Sequence, residues 1–138
     1  MSLKLAVNSQ CICGSKKKYK KCCKLFHDGE NPPTALDLMR SRFSAFASHN
    51  ADYIIKTTHY DNPEFTLNTK AWLSDIYNFC EYTDFNALKI LEFIDGKNES
   101  FVTFKAVLSQ NGLDASFTEK SRFLKVDGKW YYVDGIFL

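Results

Sequence analysis

The sequence contains no run of about 18 apolar residues, so it offers no helix long enough to span a membrane. No apolar stretch of signal-peptide length precedes its first cysteine, which argues against export and for the cytoplasm. Internal repeats and low-complexity segments are missing apart from one lysine run, so the chain is not a repeat array. A secreted disulfide framework is also missing. The five cysteines are odd in number, and four of them crowd between Cys11 and Cys23 while Cys80 stands alone. What is present suits one compact unit: 138 residues, 45% of them apolar and 15% aromatic, which rules out a wholly disordered chain.

One charge sign is absent from the first 27 residues, which hold seven lysines (Lys4, Lys16, Lys17, Lys18, Lys20, Lys21, Lys24) and no acid. The rest of the chain is mildly acidic. A basic tip on an acidic body points to an anionic partner at the tip. The plainer alternative is that the lysines keep a small exposed module soluble and offset the charge of clustered thiolates.

Composition changes near Gly29, Asn31, Pro32 and Pro33, which read as a linker. It divides a cysteine module, residues 1–30, from a body, residues 31–138. In the body, Thr34 is a candidate helix cap with Asp37 in the first turn, and Leu36, Met39, Phe43, Phe46 and Ala47 follow at helical spacing. The pattern predicts further helices over 51–58 and 70–81, with a break from His59 to Pro63. The period then falls to two, predicting strands over 86–94, 100–109, 115–126 and 129–137. Asp95-Gly96-Lys97-Asn98, Gln110-Asn111-Gly112 and Asp127-Gly128 are hairpin signals between them. Helices first and an antiparallel meander second means α+β, with helices over one face of a curled sheet that leaves room for a pocket.

Cys11-x-Cys13, eight residues, then Cys22-Cys23 supplies four thiolates. Zinc takes such a set as a closed tetrahedron when its role is structural. A segment this short has no core of its own, and ligation would supply folding free energy on the order of 10 kcal/mol. The spacing is tighter than the commoner zinc patterns. An iron site, a vicinal Cys22–Cys23 disulfide, free thiols and competition from His27 remain as alternatives.

The segment CICGSKKKYKKCC resembles the SEC-C zinc motif, found at the C-terminal end of the SecA translocation ATPase. Matched residue by residue, the resemblance makes Cys11, Cys13, Cys22 and Cys23 the ligands of one structural Zn2+. LMRSRFSAF, DYIIKTTH and EKSRFLKVDGKWYYVDG extend it to nearly the whole chain, which is similar to the YchJ family of bacterial proteins. That resemblance implies a SEC-C module joined to a cone-shaped nuclear-transport-factor-2-like domain. It brings no established reaction. Some relatives carry a second SEC-C motif, which this sequence lacks.

Within the body, Glu119 and Ser121 alternate on one strand. If they face the cone, Glu119 needs a partner, which Arg40 or Arg42 would supply with bidentate geometry. Tyr53, Trp72 and His59 complete a candidate pocket, with Glu119 and His59 as candidate catalytic groups. A structural Arg–Glu tie between helix and sheet is the plainer reading. So is a half-buried aromatic strand for Trp130, Tyr132 and Asp134. Cys80 reads as a buried, inert thiol.

Two function classes follow. In the first, a basic zinc module presents Lys16, Lys17, Lys18, Lys20 and Lys21 to an acidic protein partner. The SecA motif's contact with the export chaperone SecB makes protein export or quality control the analogy. In the second, the cone binds a small molecule or works as an isomerase, dehydratase or hydrolase. Nucleic acid is not an expected partner, because one Tyr among lysines supports at most a non-specific, salt-sensitive contact.

Overall fold

A computed structural model describes residues 5–138; Lys4, counted above in the basic segment, lies outside them. The order is a short 3-10 turn (Tyr19–Lys21), helices α1 (Cys23–His27), α2 (Ala35–Ala47), α3 (Ala51–Lys56) and α4 (Thr69–Glu81), then strands β1 (Asp84–Ile94), β2 (Glu99–Gln110), β3 (Leu113–Asp114), β4 (Phe117–Val126) and β5 (Lys129–Phe137). Each of the three body helices starts on a polar cap. Thr34 Oγ1 accepts from the Asp37 amide, Asn50 Oδ1 from Tyr53 and Asn68 Oδ1 from Ala71, satisfying donors that have no helical partner.

The strands form one antiparallel sheet in the order β1-β2-β4-β5, with β3 pairing to β2. Two hairpins close on left-handed pairs: Asn111 and Gly112 have φ of 52° and 75°, and Asp127 and Gly128 have 51° and 79°. These are the backbone signs of a type I′ turn, whose twist matches the strands. Register shifts at Phe85/Ala87, Ile90/Glu92 and Arg122/Phe123 bend the ladder. The sheet thus curves around α2, which crosses it and touches β1, β2 and β5. Helix α3 packs between α2 and α4.

The predicted α+β architecture is present. The strand expected over 115–126 breaks at Ala115-Ser116. There the Leu108 amide donates to Ser116 Oγ rather than to a strand carbonyl. The second helix ends at Lys56 rather than at residue 58, because Thr57 and Thr58 turn their hydroxyls back onto the Tyr53 and Ile54 carbonyls. The core lies between the helices and the inner sheet face, with Leu38, Ile54, Trp72, Val102, Phe104 and Phe123 all buried.

Candidate metal centre and adjoining cavity

The backbone of the module is a tight knuckle. The Cys11 amide donates to the Lys17 carbonyl at 2.8 Å and the Gly14 amide to the Cys11 carbonyl at 3.3 Å. Gly14 has φ +80°, and a Cβ there would lie 2.9 Å from the Leu88 carbonyl oxygen of β1. Glycine is required at this close approach. The 3-10 turn then delivers Cys22, and Cys23 opens α1.

This geometry gathers the sulfurs of Cys11, Cys13, Cys22 and Cys23 within 4.8 Å of one another. Cys13 and Cys22 Sγ are 3.6 Å apart, and Cys22 and Cys23 Sγ 3.9 Å. A tetrahedral ion with sulfurs at about 2.3 Å places them roughly 3.8 Å apart, so the cluster fits one such ion. All five cysteines are free thiols, and the Cys22–Cys23 separation excludes the vicinal disulfide. Without an ion the sulfurs compete for protons. Hydrogen bonds from Cys13 and Cys23 hold the Cys11 thiol far below its ordinary value. The same bonds push Cys13 up to about 11 and Cys23 higher still. A bound cation would take the place of those protons.

A second layer fixes the sulfurs. Ser15 Oγ is 3.1 Å from Cys22 Sγ, and Ser44 Oγ of α2 is 3.4 Å from Cys11 Sγ, each a hydroxyl able to donate to a thiolate. His27 does not compete as a ligand. Tyr19 donates its hydroxyl to His27 Nδ1 at 2.7 Å, and His27 Nε2 donates to the Ser41 carbonyl at 2.8 Å. Burial lowers its pKa, in keeping with a neutral ring.

Helix α2 has two working faces. Arg40, Ser41 and Ser44 turn to the module: Arg40 donates to the Cys13 carbonyl at 2.7 Å, and the Tyr53 hydroxyl meets Ser41 Oγ at 2.7 Å behind the helix. Met39, Arg42, Phe43 and Phe46, at the complementary helical spacing, line a cavity of about 730 Å³ under the sheet. Its walls include Trp72 and Phe104, and its polar corner holds Arg42, Thr58, Glu119, Ser121 and Tyr132.

The candidate pocket residues therefore separate. Arg42, Trp72, Glu119 and Ser121 come together on the cavity, whereas Arg40 and Tyr53 serve the module side. The proposed Arg–Glu pair is corrected. Arg42 spends Nη1 on the Ile54 carbonyl and the Thr57 and Thr58 hydroxyls, and its guanidinium lies 4.7 Å from the centre of the Tyr132 ring. Glu119 Oε2 instead accepts from Ser121 and Tyr132, and no ion pair joins it to an arginine. The bidentate geometry forms elsewhere, between Arg122 and Asp134, with both contacts at 3.0 Å.

His59 is buried but does not line the cavity. Its Nδ1 accepts from the Asp61 amide at 3.0 Å, and its ring stacks on Tyr60, so it shapes the turn after α3. Cys80 is buried on α4, and burial pushes its thiol up to about 11, as an inert core cysteine requires. Two groups escaped the sequence reading: Tyr132, taken there as an aromatic strand residue, and Ser44. A signal for both existed. The stretch Arg40-Ser41-Arg42 with Ser44, inside an otherwise apolar helix, puts polar groups where a helix packed on two sides needs partners.

Comparison with known proteins agrees with this geometry. Residues 8–25 match the SEC-C motif, and residues 34–135 match the middle NTF2-like domain of YchJ. The chain is similar to a SEC-C motif containing protein from Rhodopseudomonas palustris, solved in solution. The identity is 31% over 94% of this chain and 99% of that one, with a TM-score of 0.81. It is also similar to a SEC-C motif containing protein from Psychrobacter arcticus, at 26% identity over 93% of this chain and 82% of that one, with a TM-score of 0.78. With a SEC-C cysteine cluster docked on an NTF2-like domain, this chain belongs to the YchJ family.

Proposed function

We propose that the cluster holds one structural zinc ion, and that the module it folds presents Lys16, Lys17, Lys18, Lys20 and Lys21 to an acidic protein partner in the bacterial cytoplasm. One observation carries the reading: all five lysines are exposed and none enters an ion pair among the described residues. Positive charge is therefore held on a rigid knuckle with no internal partner. Four thiolates leave zinc no open position for water or substrate, which favours a scaffold over a catalyst. Free thiols in such numbers suit a reducing compartment. Protein export or quality control is the process that the analogy with SecA suggests.

Elemental analysis should find one zinc per chain, with chelation releasing the four clustered thiols. The immobilised chain should capture a defined set of acidic proteins from a bacterial lysate. A Lys17→Glu, Lys18→Glu, Lys21→Glu variant that still binds zinc should lose them. Unchanged capture by that variant defeats the adaptor reading.

The cavity favours a second reading, a small-molecule binding site. Its volume of about 730 Å³ lies within the roughly 300–1,000 Å³ of ligand pockets, and its lining combines aromatic and aliphatic walls with a group of polar side chains. Binding is favoured over catalysis of the isomerase, dehydratase or hydrolase type, because His59 does not line the cavity that Glu119 lines and spends its Nδ1 on the Asp61 amide. Native mass spectrometry of freshly purified protein tests for a retained ligand.

A further inference from the structure

Resting on the small-molecule reading, we propose that the polar corner of the cavity takes an uncharged head group bearing both an acceptor and a donor. An amide or a hydroxy-ketone on an aromatic or alicyclic body is the class that fits. Arg42 is only 6% exposed, yet only Nη1 of its guanidinium is bonded within the protein. No sealed side-chain nitrogen or oxygen lacks a partner among the described residues, so Nε and Nη2 open on the cavity that Arg42 lines. They are donors without acceptors. Burial lowers the guanidinium to about 10, so it remains charged at neutral pH.

Across Tyr132 lies the complement. Glu119 also lines the cavity; its Oε2 accepts from Ser121 and Tyr132, while Oε1 accepts no hydrogen bond among the described residues and is left as an acceptor. The carboxylate lies against Gly135 of the neighbouring strand, where a Cβ would collide with it, so its place is fixed.

The cavity also carries the carboxylates of Glu64 and Asp75, but both are exposed and their charge is screened by water. Within the polar corner, Arg42 and Glu119 are one cation and one anion that form no ion pair with each other. A ligand carbonyl satisfies Arg42 while its N–H or O–H satisfies Glu119. An added carboxylate would meet Glu119 in a poorly solvated corner, and an added ammonium would meet Arg42. The aromatic walls of Phe43, Phe104 and Trp72 take the body of the ligand.

The test uses the metal-loaded full chain and three probes with one body: naphthamide, naphthoate and naphthylmethylammonium, titrated by calorimetry. Naphthamide should bind about tenfold more tightly than either ion. Glu119→Gln removes the anion and should shift the preference to naphthoate. Arg42→Met should shift it to the ammonium. Should Arg42→Met fail to fold, Glu119→Gln alone decides. A wild-type preference for either ion, or an unchanged preference in Glu119→Gln, overturns the neutral-head inference and leaves the small-molecule reading standing. Failure of all three probes at millimolar concentration overturns both.

Discussion

Between residues 8 and 25 the buried side chains are three cysteines, with Tyr19 and Cys22 packed partly against them. Between the helices and the sheet Leu, Ile, Phe, Val and Trp side chains, with Met39, Tyr53, Cys80 and several alanines, join in one continuous core. The first region has almost no apolar surface to remove from water, and the second has a great deal. Ligation must therefore fold the module, whereas burial folds the body. The two meet at α2, where Arg40, Ser41 and Ser44 dock the module and Met39, Arg42 and Phe43 line the cavity.

Metal removal should separate the regions most sharply. Structural zinc in a module of this size is worth on the order of 10 kcal/mol. Chelation should therefore erase amide protection in residues 8–25 and leave the sheet signals of 84–137 in place, as read by hydrogen exchange. A body that unfolds together with the module would show that the two form one cooperative unit. The reverse experiment is Phe123→Ala, which empties a fully buried site in β4. It should cost about 3–5 kcal/mol of body stability in denaturant melts, with one metal per chain still bound below the transition. Loss of metal in the folded variant would break the separation from the other side.

The junction itself is probed by Gly14→Ala. The new Cβ meets the Leu88 carbonyl at a φ of +80°, so the module must shift off β1 at a cost of about 2 kcal/mol. Metal affinity should fall while the midpoint of the body changes little. Equal losses in both regions would mean that this contact supports the body as well.

The two regions also differed in how plainly the sequence announced them. Four cysteines within a short segment name their own ligand set, because little besides a metal or a disulfide uses thiols so densely. The Asn-Gly and Asp-Gly turns were legible for a similar reason, since few residue pairs accept positive φ in succession. Four members of the cavity were legible: Glu119 and Ser121 from their alternation on one strand, and Arg42 and Trp72 from the helices expected over the sheet. Partner choice was not legible. Arg40 and Arg42 are two residues apart on one helix and therefore point to different faces, one to the Cys13 carbonyl and one to the cavity. Either could have reached Glu119 on paper. The register shift at Arg122/Phe123 decided which aromatic of β5 bridges to Glu119, and no local pattern encodes that bulge.

The smallest effect concerns a histidine at the junction of the two regions. His27 belongs to α1, takes the Tyr19 hydroxyl on one nitrogen and gives its other N–H to the Ser41 carbonyl of α2. Burial lowers its pKa below the ordinary 6.5. The unfolded state therefore binds the proton more readily than the folded state, and stability rises with pH across that interval. Its contribution is complete above about 6.5 and is lost as pH falls toward the lowered value, with a slope of at most about 1.4 kcal/mol per pH unit. Thiolate protonation works in the same direction at acid pH, so the variant carries the test. In zinc-loaded His27→Gln, the loss of module melting temperature between pH 7 and pH 5.5 should be smaller than in the wild type. The Gln amide can still donate to Ser41 and has no proton to gain. An identical slope in both proteins would assign the acid sensitivity of the junction to the cysteines alone.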